Sequence, residues 1–119
     1  MYYVHVRHHL NHEGLKHFNT WYQKVHSFIS RQPGYISMNS YFDQYDTGCV
    51  HIDLEFENKE KAMAWANTQI HQDLVDELNP YRIKESDALH NDPEHRETTL
   101  YIVPIDGSDL IITKLEYKE

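Results

Sequence analysis

Apolar and polar residues alternate along MYYVHVR, with Val4 and Val6 on one side and Tyr3, His5 and Arg7 on the other. Successive side chains of a strand point to opposite faces, so this segment predicts a first strand. After Asn11, a residue suited to capping a helix, the period changes. Leu15, Phe18, Tyr22, Val25 and Ile29 fall three or four apart and make one apolar stripe on a helix of about five turns. Trp21 and Phe28 widen the stripe, and Pro33-Gly34 ends it. YISMNSYF and CVHIDLEFE then alternate again around QYDTG, which predicts a hairpin. The alternation sets Ile36, Met38 and Phe42 against Ser37, Asn39 and Tyr41. It also sets Val50, Ile52, Leu54 and Phe56 against His51, Asp53 and Glu55.

Asn58 caps a second helical stretch that begins KEKAMAWAN, breaks near Thr68, continues to Leu78 and stops at Asn79-Pro80. YRIKESDAL reads as a fourth strand, with TTLYIVP as the alternative, and LHNDPEHRE as a loop. TTLYIVP and DLIITKLEY flank IDGS as a second hairpin. Over residues 1–90 the order is β-α-β-β-α-β, a ferredoxin-like α+β sandwich with both helices on one face of an antiparallel sheet. Residues 91–119 read as a loop and hairpin extension of the same domain. The apolar sheet face takes the helices. The other carries His5, Arg7, Asn39, His51, Asp53 and Glu55, and is either solvated or covered by a second subunit. Covering it requires its charges to pair, as Arg7 could with Asp53 or Glu55. The C-terminal hairpin is expected to extend the sheet or reach over the partner, burying Leu110 and Ile112 or Ile111 and Leu115.

A chain of 119 residues fits one such domain. Nineteen acidic residues against eleven basic ones give a net charge of −8, which disfavours nucleic acid and anionic membranes as partners. No apolar run is long enough to span a bilayer, and the first residues lack the pattern of a signal peptide. One cysteine, Cys49, allows no internal disulfide and reads as an inert thiol. A cytoplasmic protein is the expectation.

QPGYIS after a long helix, followed by HIDLEFENKEKAMAWANTQIHQDL, resembles the antibiotic biosynthesis monooxygenase family. The most specific part is the alanine-rich turn with Trp65, Thr68 and His71 leading into Leu74, and the resemblance covers about residues 1 to 90. It implies a homodimeric α+β barrel formed through the two sheets, with a pocket between the sheet and the helices of each subunit. It also implies oxidation of a small aromatic or quinone-like substrate by molecular oxygen without metal or flavin. The haem-degrading branch of that family has an asparagine on the first strand and a histidine ten residues after the tryptophan. Here those places hold His5 or Arg7 and Val75, so haem is disfavoured.

The candidate catalytic pair is therefore His71, as an acid/base of near-neutral pKa, and Trp65, as a stacking wall. Tyr22, Thr68, His5 and Arg7 are candidate substrate contacts. Each has a plainer alternative: Trp65 and Tyr22 as core residues, Thr68 and His71 as a helix break. No metal and no organic cofactor is expected. HEGLKH spaces its histidines five apart rather than four, so it is no zinc protease motif. His5, His51 and Asp53 form a better constellation, but a weak one. The four isolated glycines make no phosphate-cradling loop.

Overall fold

A computed structural model describes residues 1–116 of the chain. Six strands form one antiparallel sheet: β1 (Tyr2–His9), β2 (Tyr35–Phe42), β3 (Cys49–Phe56), β4 (Ser86–Asp92), β5 (Glu97–Val103) and β6 (Ile111–Leu115), in the order β2-β3-β1-β4-β5-β6. Helices α1 (His12–Ile29), α2 (Lys59–Ala66) and α3 (Gln69–Leu78) complete the α+β ferredoxin-like fold, and a 3₁₀ turn (Asn79–Tyr81) follows α3. The two predicted caps, Asn11 and Asn58, are real, and Thr68, where a break was expected, is a third. Asn11, Asn58 and Thr68 each accept a hydrogen bond from the backbone amide three residues on, which satisfies one orphan donor per helix start. Thr68 divides the second helical stretch by capping α3.

The apolar stripes meet in one core. Tyr2, Val4, Val50, Ile52 and Phe56 from the sheet pack against Phe18, Trp21, Val25 and Ile29 of α1, and against Ala62, Trp65, Leu74 and Leu78 of α2 and α3. Gly14 lets α1 start close to the 3₁₀ turn, since a Cβ there would lie 2.6 Å from Tyr81 Cβ.

Two expectations are corrected and a third is met in part. Ile36 is not on the core face. The β2–β3 register skips one residue between Tyr35 and Ser37, so Tyr35 packs on the core and Ile36 is bulged outward, exposed. The fourth strand starts at Ser86 and runs through Leu89 to Asp92, taking in part of the predicted loop. Tyr81 to Lys84 instead turn the corner, with Leu10 bridging Arg82. The C-terminal hairpin extends the sheet beyond β4, but in the single chain Leu110, Ile111, Ile112 and Leu115 all remain exposed. Tyr117, the last residue of its predicted second strand, lies outside the described residues. No helix among the described residues is long and apolar enough to cross a membrane.

Candidate functional site

The helices cover one face of the sheet, so the candidate residues divide between two places. Trp65, Thr68 and His71 lie on the covered side. Trp65 is 4% exposed and belongs to the core. The Thr68 hydroxyl donates to the Trp65 carbonyl at 2.8 Å and its oxygen accepts from the His71 amide at 3.1 Å, which sets the angle between α2 and α3. The His71 ring consequently stands edge-on to Trp65, with centroids 5.5 Å apart.

Its Nδ1 is buried with no hydrogen-bond partner among the described residues. Burial lowers the His71 pKa, opposed by a hydrogen bond from the ring to the Ala66 carbonyl. With its proton on Nε2, the neutral ring presents a bare lone pair at Nδ1. A buried acceptor without a partner is uncommon and calls for a reason. Deeper in, the Ser86 hydroxyl lies 2.7 Å from His8 Nδ1 and accepts from Arg82 Nε at 3.1 Å. Burial holds His8 at a pKa of about 4, so it too is neutral at pH 7.

Tyr22 is not brought to this group by any direct contact. Its ring stacks on Phe18 and its hydroxyl donates to the Met38 carbonyl at 3.1 Å, over β2 at the far side of the sheet.

His5 and Arg7 project from the opposite, uncovered face. Arg7 does not pair with Asp53 or Glu55. The register places Asp87 directly across from it on β4, and Arg7 donates to both carboxylate oxygens at 3.0 and 2.7 Å. His5 takes Asp53 instead, its partner across β3, through Nδ1 at 2.6 Å. The chain of hydrogen bonds continues from His5 Nε2 to His51 Nδ1 at 3.0 Å, and from His51 Nε2 to Asp43 Oδ2 at 2.8 Å. Tyr41 stacks flat on His51 with centroids 4.6 Å apart.

Asp43 belongs to the β2–β3 turn and was not singled out in the sequence. Its other oxygen accepts the amides of Tyr45 and Asp46, and these bonds with that from His51 hold its pKa down at about 2. Nearby on the same face is a shallow concavity of about 280 Å³, lined by Tyr3, His5, Asp53, Leu89 and Asn91. Asn91 Oδ1 there is buried and, among the described residues, unpartnered.

No family model and no curated protein matches the sequence. Solved structures do match in shape. An antibiotic biosynthesis monooxygenase superposes with a TM-score of 0.69 at 16% identity, over 77% of this chain and 97% of that one. The cofactor-independent oxygenase SnoaB from Streptomyces nogalater gives 0.60 at 12% identity, over 76% of this chain and 88% of that one. A Deinococcus radiodurans protein carrying the same family name gives 0.61 at 15% identity, and there the match spans 100% of this chain and 94% of the other. The fold is that of antibiotic biosynthesis monooxygenases, and the C-terminal hairpin falls within the last of these matches.

Proposed function

We propose that the chain is a cofactor-independent monooxygenase-type enzyme acting on a small aromatic phenol or quinol, with His71 as its acid/base and Trp65 as the wall beside the ring. The observation that carries this reading is the buried Nδ1 of His71, held next to an indole and without a partner among the described residues. A neutral imidazole in a dry site is suited to accept a phenolic proton, and the phenolate is the electron-rich form that reacts with oxygen. Without a reducing cofactor the substrate itself supplies the electrons. Oxidation of a phenol to a quinone balances that requirement: a ring C–H and the phenolic C–OH both become C=O, and the two hydrogens leave with the second oxygen atom as water. The fold shared with SnoaB, a cofactor-independent oxygenase, supports the same class.

In this reading two chains pair through their uncovered faces. Tyr3, Tyr41, Ile111 and Leu115 are exposed there, and Leu89, Leu100 and Ile102 share the face by register. Dimerisation would offset the cost of leaving so much apolar surface in water.

A second reading, a non-catalytic dimer that binds a small ligand, is favoured by the Asn91 concavity, which a partner sheet would roof. A thermal-shift screen of the purified protein with phenols and quinols, recording oxygen uptake for each hit, separates the two. Stabilisation with uptake supports the enzyme; stabilisation without uptake leaves the binding module.

A further inference from the structure

We propose that the end of the uncovered face, where the β2–β3 turn folds back over the sheet, binds one divalent transition-metal ion of the zinc class through Cys49, His51 and Asp43. This site is separate from the Trp65–His71 pair and does not depend on the reaction assigned to it.

The donor atoms already converge. Asp43, Cys49 and His51 bring one ligand atom each to within 4.8 Å of one another, and so do His9, Asp46 and Cys49. The Cys49 sulfur is common to both sets, so His9 and Asp46 each bring a ligand atom within 4.8 Å of that proposed ligand. Cys49 Sγ lies 3.7 Å from His51 Nε2. A tetrahedral zinc with bonds of about 2.3 Å to sulfur and about 2.0 Å to nitrogen separates those two donors by about 3.5 Å. The Asp43–His51 contact, 2.8 Å as a hydrogen bond, needs to open by only about half an ångström to admit the ion. The set mixes thiolate, imidazole and carboxylate, which suits zinc and its neighbours better than magnesium or calcium.

The local fold holds these residues in place. Cys49 and His51 are two apart on β3 and share a face. Gly48 (φ +98°) lets the turn close against the Leu10 carbonyl, 2.8 Å from where a Cβ would be. The Asp43 amide donates to the Cys49 carbonyl at 3.0 Å, and the Cys49 amide to the Asp46 carbonyl at 3.1 Å. Cys49, His51 and His9 are buried, which is where a thiol and two imidazoles are least exposed to competing water. The charges balance: a thiolate and one carboxylate neutralise a divalent ion, and Arg7 on the same face is tied to Asp87.

The hydrogen bonds behind His51 suit it to this role. The run Asp53–His5–His51–Asp43 contains three hydrogen bonds. An ion on His51 Nε2 would take the place of the Asp43 hydrogen bond and leave the rest of the run intact. His51 Nδ1–H then donates to His5 Nε2, and His5 Nδ1–H to Asp53, leaving both rings neutral and every bond made. Asp53 and His5 thereby become the outer partners that orient a metal-bound histidine.

The test uses the full chain, stripped with chelator and titrated with Zn²⁺ by calorimetry and with Co²⁺ by absorption. One ion per chain is expected, with a thiolate-to-cobalt charge-transfer band. Cys49→Ser should abolish the band, His51→Ala should weaken Zn²⁺ binding at least tenfold, and Asp53→Asn should weaken it about tenfold. Cobalt binding without a thiolate band would overturn the proposal, because the ion would then sit elsewhere, for example at Asp92, Glu94 and His95. So would Zn²⁺ affinity unchanged in His51→Ala. The band is read on the unaltered chain, so a variant that fails to fold does not remove the test.

Discussion

Acid should destabilise this fold partly through one residue, His90. Its Nδ1 lies 2.7 Å from the Tyr2 hydroxyl, and its ring packs against Tyr101 with centroids 4.4 Å apart. Protonation would make both ring nitrogens donors and place a charge away from water, near the Lys59 cation. Burial first, and Lys59 second, hold the His90 pKa at about 4, below its ordinary 6.5. As pH falls through 6.5 the unfolded chain takes up a proton that the native chain refuses until about pH 4. Stability is therefore full above 6.5 and lost across that window.

The gap corresponds to about 3 kcal/mol in full and about 2 kcal/mol already lost at pH 5, at 1.36 kcal/mol per pH unit. The comparison is with His90→Gln, whose amide keeps a polar partner for Tyr2 but does not titrate. Urea unfolding followed by tryptophan fluorescence at one protein concentration should show the two proteins diverging. Between pH 8 and pH 5 the wild type should lose about 2 kcal/mol more than the variant. Parallel pH profiles would refute the reasoning, since every other group is common to both.

Thr68→Ala removes the cap of α3 and should cost about 1 kcal/mol, lowering Tm by about 4 °C, whereas Thr68→Ser should retain most of it. Gly14→Ala forces a methyl group into Tyr81 and should cost about 1–3 kcal/mol in the same unfolding assay. Leu100→Lys, in the middle of the uncovered face, should convert a dimer into a monomer in sedimentation at micromolar concentration. A wild type that sediments as a monomer would remove the sheet-to-sheet pairing.

The elements were legible wherever period and cap agreed. Val4 and Val6 on β1, the α1 stripe after Asn11 and the Val50 to Phe56 alternation on β3 all read correctly, because each is a local pattern that burial enforces. The errors lie where one residue changes the phase. The bulge at Ile36 is invisible to alternation, since an inserted residue reverses the face of its neighbours and leaves no mark of its own. β4 was misplaced because LHND resembles a loop in composition, yet its position beside β1 buries Asp92 and pairs His90 with Val4.

The candidate chemistry divides in the same way. Trp65, Thr68 and His71 are close in sequence and end up together. His5 and Arg7 were assigned to the same pocket but stand on the other side of the sheet. The cluster of Asp43, Cys49 and His51 was missed for a related reason. Cys49 and His51 share a face by their spacing, but only the folded turn carries Asp43 back onto them, and no pattern in QYDTG announces that.

The most direct test of the proposed reaction is a comparison of wild type with His71→Gln on whichever phenol or quinol promotes oxygen uptake. Binding would be measured by calorimetry without oxygen and turnover by an oxygen electrode. The expected result is affinity within a few-fold of wild type with kcat lowered about 100-fold or more, the loss typical of removing a positioned acid/base. Unchanged kcat in the variant would contradict a catalytic His71 and return its ring, with Trp65, to the core.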